Sequence, residues 1–332
     1  MRINAIQGGV FHLSRTLLVA AWLGACGGIV LAQDYPNRPV HLIVPNPAGG
    51  GTDAYARILA KGLEQRLGQP VVVENRSGQG TSIGAAMVSR ATPDGYMLLL
   101  ATSSTLAINV SLYKNLSYDP LKDFTPISLV ATVPFVVVVN PSLQVTSLRE
   151  LIVLAKSKPG ELSYASAGVG SVHHIFAEKL KALAGIDIKH VPYRGGGPAL
   201  IDVIAGHVPI MFADAGQAVP YIKDGRLKAL GVTVGKRLET LPDVPTLNEA
   251  GASGYDASDW QCLVGPAGLP GSIVAKLNKA ILDVIAAPET IAFLQARGMQ
   301  GLTSTPAELE SYVRLEIPRW AEVVKAAGAT AD

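Results

Sequence analysis

The chain has 332 residues, 28 Lys and Arg against 26 Asp and Glu, and only two cysteines. A near-neutral balance without a basic stripe excludes a phosphate-backbone binder, so nucleic acid is not an expected partner. Two cysteines exclude a disulfide framework, and the length is ample for a core divided over two domains.

Arg2, His12 and Arg15 precede an uncharged apolar stretch over residues 16–32, the pattern of a secretory signal peptide spanning 1–32. Two cleavage readings compete. Val30-Leu31-Ala32 would release a soluble periplasmic chain beginning Gln33-Asp34-Tyr35. Leu23-Gly24-Ala25-Cys26 resembles a lipobox, which would leave a lipid-anchored form through Cys26. The apolar run continues past Cys26, which favours the soluble form. Loss of Arg2 and Arg15 with the leader leaves 26 basic residues against 26 acidic. A bound anion would then be held by local backbone dipoles rather than by a general positive field.

From there short β-branched runs alternate with amphipathic helices, which predicts an α/β protein of parallel layers. Residues 40–44 read as a strand running into Pro45-Asn46-Pro47-Ala48-Gly49-Gly50-Gly51. A helix follows from Thr52 or Asp53, with Tyr55, Ile58, Leu59, Leu63 and Leu67 at helical spacing and Gly68-Gln69-Pro70 as its stop. The strand 71–73 turns through Asn75-Arg76-Ser77-Gly78-Gln79-Gly80 into a helix holding Ile83, Ala86, Met87 and Val88. A third strand, 97–100, ends in the hydroxyls Thr102, Ser103, Ser104 and Thr105.

The pattern begins again at 135–139. A helix over 148–156 and a strand over 162–165 lead to Ser166-Ala167-Gly168-Val169-Gly170-Ser171. The next helix carries Ile175, Phe176, Leu180 and Leu183, and further strands are predicted at 186–191, 208–212 and 227–234. A strand over 258–264 then returns, followed by helices over 273–285 and 308–324. The chain therefore crosses between lobes near Val133 and near Asp256. Domain 1 is expected to comprise 33–134 and 257–332, domain 2 to comprise 135–256, and the two crossing segments to act as a hinge beside a ligand cleft.

Two strand–glycine loop–helix junctions carry the chemistry, one per lobe. Glycine lets backbone approach a ligand closely, and the following helix start offers unpaired N–H groups and a partial positive charge of roughly +0.5. Together they suit a carboxylate or phosphate without Lys or Arg. The first junction gives the candidate binding residues Asn46, Pro47, Ala48, Gly49, Gly50, Gly51, Thr52 and Asp53. The second gives Ser166, Gly168, Gly170 and Ser171. Asp53 either stabilises its helix start or meets a cationic or hydroxyl part of the ligand. His174 is expected to fix the second loop and stays among the candidates.

Other chemistries are thin. Gly78-Gln79-Gly80-Thr81-Ser82-Ile83-Gly84 imitates a dinucleotide fingerprint with its last glycine one residue late, and is read instead as a helix start packed near the cleft. Ser171 with His173 or His174 would be a hydrolase pair without an evident third member. The histidines lack partners at metal-site spacing, so neither metal nor cofactor is expected and the protein is not read as an enzyme.

The chain resembles the tripartite tricarboxylate transporter receptor family, the TctC or Bug type of periplasmic solute-binding protein. The resemblance runs through Asp34-Tyr35-Pro36, Gly49-Gly50-Gly51-Thr52-Asp53 with Ala56-Arg57, and Glu74-Asn75-Arg76. Pro93-Asp94-Gly95-Tyr96, Tyr164-Ala165-Ser166-Ala167-Gly168, His190-Val191-Pro192-Tyr193-Arg194-Gly195 and Leu241-Pro242-Asp243-Val244-Pro245-Thr246 follow in family order. It implies a two-lobed type II periplasmic-binding fold closing on a small carboxylate or amino-acid-like ligand. By position it adds Thr102 and Ser103 to the first-lobe grip and Asp214, more weakly, to the second. It also implies a monomer that delivers to a membrane permease, or a sensor that feeds a signalling system. Asn46 stands where the family commonly has an aromatic residue, which implies a more polar ligand. Pro209 replaces a usual acid, which loosens the analogy around Asp214.

Overall fold

The computed structural model describes residues 35–326 and 328–331, so the predicted leader and Cys26 lie outside the described residues. In chain order the first lobe supplies β1 (Val40–Val44), α1 (Gly51–Leu67), β2 (Val71–Asn75), α2 (Ser82–Ser89), β3 (Met97–Thr102), α3 (Asn109–Leu112) and β4 (Phe124–Val133). The second supplies β5 (Phe135–Val139), α4 (Leu148–Ser157), β6 (Ser163–Ser166), α5 (Val172–Ala184), β7 (Lys189–Pro192), α6 (Gly196–Ala205), β8 (Ile210–Asp214), α7 (Ala215–Lys223) and β9 (Lys228–Val232). The chain then returns through β10 (Asp259–Pro266), α8 (Gly271–Ile285), α9 (Pro288–Ala296), β11 (Gln300–Gly301) and α10 (Pro306–Ala326).

Two sheets result, ordered β11-β4-β10-β3-β1-β2 and β7-β6-β8-β5-β9. The βα units pair in parallel, as β1 does with β2 and β3, and β6 with β7 and β8. The strands at the lobe crossing run antiparallel, β10 to both β3 and β4, and β5 to both β8 and β9. A chain that leaves one sheet along β4 and comes back along β10 must reverse its direction there. The parallel layers predicted from the sequence are therefore correct for the βα units alone.

The apolar spacing of α1 does what it predicts, with Tyr55, Leu59, Leu63 and Leu67 buried against the sheet. Gly68 ends the helix in the left-handed region at φ +70°, its N–H bonded to Glu64 O at 2.9 Å. Every residue of β5 is buried, as expected of an apolar run covered on both faces. In α2, by contrast, Ile83 and Met87 are exposed while Ala85 and Val88 pack inward.

Strand β4 is absent from the sequence prediction because Pro126 lacks an N–H and breaks the strand pattern. The ladder accommodates it with register shifts on β10 between Gln261 and Cys262 and between Leu263 and Val264. Helix α7 is likewise hidden by Pro220 in its interior.

Helix α10 is fastened to β10 by one buried acid. The indole N–H groups of Trp260 and Trp320 both donate to Glu316 Oε2, at 2.8 and 2.9 Å, and Arg319 meets Oε1 at 3.0 Å. Glu316→Ala strands two buried donors and is expected to cost about 2–4 kcal/mol. Glu316→Gln keeps a carbonyl acceptor and is expected to cost less. Urea unfolding of the two variants checks this, and equal losses would contradict it.

Candidate ligand-binding cleft

A cleft of about 730 Å³ lies between the sheets, within the size range of small-molecule sites. Its walls come from four loops and from the crossing strands. The β1–α1 junction contributes Asn46, Pro47, Ala48, Gly49, Gly50, Gly51 and Thr52, all of which line it. Gly50 caps α1 in an extended conformation, and no side chain bonds the helix-start amides. Those N–H groups therefore keep the capacity for an anion described above.

The second loop is built differently. Ser171 caps α5 with its own side chain, accepting the His174 N–H at 3.4 Å and donating to Gly168 O at 2.7 Å. Gly168 and Ser171 line the cleft, as do Thr102 and Asp214.

Five sequence candidates sit behind the wall instead. Asp53 accepts the Gly49 N–H at 2.9 Å, Asn75 Nδ2 at 3.1 Å and both Arg57 donors at 3.1 Å. Burial alone would raise its pKa, but these bonds outweigh burial and hold it below the usual carboxylate range. Its charge is thus spent on shaping the loop. Ser103 gives both its N–H and its hydroxyl to Asp259 Oδ1, at 3.2 and 2.6 Å. Ser166 Oγ accepts the Gly168 N–H at 3.0 Å and is paired with His190 Nε2.

Gly170 faces the other lobe. Its carbonyl accepts Ser104 Oγ at 3.3 Å, its N–H donates to His174 Nδ1 at 3.3 Å, and a Cβ there would overlap Leu112. His174 stacks on His190 with centroids 4.1 Å apart. Burial lowers the pKa of each to about 4, so both rings are neutral at pH 7. With Nδ1 accepting from Gly170, the His174 proton sits on Nε2. The Ser171 hydroxyl is bonded to backbone groups and to neither His173 nor His174, so the Ser171–His pair considered from the sequence is not formed.

Several cleft residues were not singled out from the sequence. The β7–α6 loop brings Tyr193, Arg194, Gly195, Gly196 and Gly197 to the wall. Gly195, at φ +123°, comes so near Pro47 that a Cβ would lie 2.9 Å from its Cγ. Three consecutive glycines after a short strand, ahead of Pro198, were the available signal. The β2–α2 turn, expected from the sequence to pack near the cleft, lines it with Gln79, Gly80 and Thr81, of which Gln79 and Thr81 have positive φ. Left-handed backbone at two non-glycine residues is strain of the kind stored at functional sites. The floor is made by His173, Phe135, Asp259 and Gln261. The pKa of His173 falls to about 4 through burial, and its ring meets Phe135 edge-on at 5.0 Å. Burial raises the pKa of Asp259 to about 7 against the Ser103 bonds, and the nearby Asp214 carboxylate adds to the rise.

Residues 55–329 match the TctC family, described as the tripartite tricarboxylate transporter family receptor. Protein BugT of Bordetella pertussis is 38% identical over 322 residues, covering 96% of this chain and 99% of that one. Among solved structures, R. palustris Rpa4515 with adipate is 36% identical with a TM-score of 0.86, over 90% of this chain and 99% of that one. MatC from Rhodopseudomonas palustris with bound malate is 34% identical with a TM-score of 0.83, over 87% and 100%.

Proposed function

This chain belongs to the tripartite tricarboxylate transporter receptor family, and on that premise we propose that it is an exported solute receptor whose lobes close on a small carboxylate metabolite. The observation that carries this reading is the α1 start, which presents helix amides without a side-chain cap to a cleft walled by glycine loops from both sheets. A carboxylate there gains several backbone donors and the helix dipole at once. The adipate and malate of the two R. palustris relatives support the same class of ligand.

In this reading residues 33–134 with 257–332 form one lobe and 135–256 the other, and the protein works as a periplasmic monomer. Binding is reversible, and the ligand is passed to a membrane permease without covalent change. The bonding of Ser171 to backbone rather than to an imidazole supports that absence of chemistry.

A thermal-shift screen of C4 to C6 mono- and dicarboxylates tests it. Ligand at 100 times its Kd is expected to add about 2.7 kcal/mol of stability. Stabilisation by neutral sugars or peptides and by none of the acids would overturn the reading. So would hydrolysis of an ester or amide that is lost in Ser171→Ala.

A further inference from the structure

The cleft floor offers hydrogen-bond acceptors where the chain crosses between lobes. β4 ends at Val133 and β5 begins at Phe135, leaving only Pro134 between the two sheets. Asp259 pairs with Val133 on one side of this crossing and Asp214 with Phe135 on the other. Each lobe thus delivers one carboxylate to the hinge, and both line the cleft. Neither forms an ion pair among the described residues. Arg297 is the cation whose field reaches Asp214, but it lies over the Phe293 ring at 3.8 Å.

Two further side chains at the floor have buried polar atoms without a partner. Gln261, 2% exposed, spends Nε2 on Thr52 Oγ1 at 3.3 Å and leaves its buried Oε1 without a partner. His173, 9% exposed, has no partner at either ring nitrogen and is uncharged, so it brings no cation to the acids. Arg194 is the lining's Lys or Arg, and it stands on the exposed rim. Asp53, for which contact with a cationic ligand group is one of two sequence readings, is occupied behind the wall.

We infer that Asp214, Asp259 and Gln261 form a subsite for the ammonium group of an amino-acid-type carboxylate ligand. The inference rests on the carboxylate-receptor reading, which accounts for the other end of the same ligand. An ammonium supplies three donors and a full positive charge. Gln261 Oε1 lacks a donor, and the two buried acids, bonded only to neutral groups (Asp259 to Ser103, Asp214 to the Gln217 N–H at 3.3 Å), lack a cation. A hydroxyl supplies one donor and no charge. The second carboxylate of a plain diacid would meet like charges.

Calorimetric titration of the purified protein with matched acids tests the subsite: succinate, malate and aspartate, then glutarate, 2-hydroxyglutarate and glutamate. In at least one series the amino acid is expected to bind at least tenfold more tightly than both others. Asp259→Asn keeps the shape and the Ser103 contacts and is expected to erase that preference, and Asp214→Asn provides an independent second variant. A plain or hydroxy acid binding as tightly as the amino acid in both series would overturn the subsite while leaving the carboxylate reading in place. A preference that survives both variants would do the same. Failure of all six acids to bind would overturn the carboxylate reading and the subsite with it.

Discussion

Gly51→Ala is expected to raise the Kd of the bound carboxylate by about 5- to 150-fold without unfolding the protein. Gly51 is the first residue of α1, and a Cβ there would overlap Asp214 Oδ2 and lie 3.1 Å from Asp214 Cγ and 3.2 Å from Gln217 Nε2. Those atoms belong to β8 and α7, on the opposite side of the cleft. The new methyl group therefore acts as a wedge between lobes rather than as a defect within one. Overpacking of this kind costs about 1–3 kcal/mol, and with every 1.4 kcal/mol a factor of ten that cost gives the expected loss of affinity. Gly51 is not at positive φ and sits at the first helical position, so alanine there does not weaken α1 itself. Weakened binding with an unchanged or raised midpoint of the ligand-free protein is the distinguishing result. Gly271→Ala is the control, because it lies at the start of α8 outside the cleft and its Cβ would meet nothing within 4 Å. Equal Kd values for both variants and the wild type would mean that the lobes do not meet here in the bound state.

The Gly51 contact shows what the sequence could and could not disclose. Glycine followed by a hydroxyl at a strand-to-helix junction is a local signal, and it located both loops. Which groups of a loop turn inward depends on partners remote in sequence. Asp53 is drawn back by Asn75 and Arg57, Ser103 by Asp259, and Ser166 by His190. On α5 the choice between His173 and His174 is one of helix phase. Ring stacking on His190 holds His174 behind the wall, and contact with Phe135 leaves His173 at the floor. Asp259 and Gln261 were read as strand residues, correctly, but nothing local marks them as cleft residues. Their role appears only once β10 is seen between β3 and β4 with its first residue, Asp259, paired to Val133 at the crossing.

Asp259→Asn is expected to stabilise the ligand-free protein at pH 8 by about 2–4 kcal/mol and to have little effect near pH 4. Burial is the main cause that lifts the Asp259 pKa to about 7, the Ser103 N–H and hydroxyl oppose it, and Asp214 reinforces it. An unfolded aspartate titrates near 3.9. Between those values the folded state holds more protons than the unfolded state, so this group makes stability fall as pH rises through the window. Its favourable contribution is fully present below about pH 4 and is lost above about pH 7. Asparagine carries no charge at any pH and escapes the loss, and removal of the Asp259 charge also relieves Asp214, whose pKa burial likewise raises. Every tenfold difference in proton affinity between the folded and unfolded chain is worth about 1.4 kcal/mol, which sets the upper end of the range. Urea melts at pH 4.5 and 8 measure the difference, and a variant no more stable than wild type at pH 8 would show that burial does not disfavour the Asp259 charge. A side chain that destabilises the empty protein at working pH is best explained by what it does in the filled one. An ammonium-bearing ligand at saturation should therefore narrow the gap at pH 8, because it stabilises the carboxylate that burial alone disfavours.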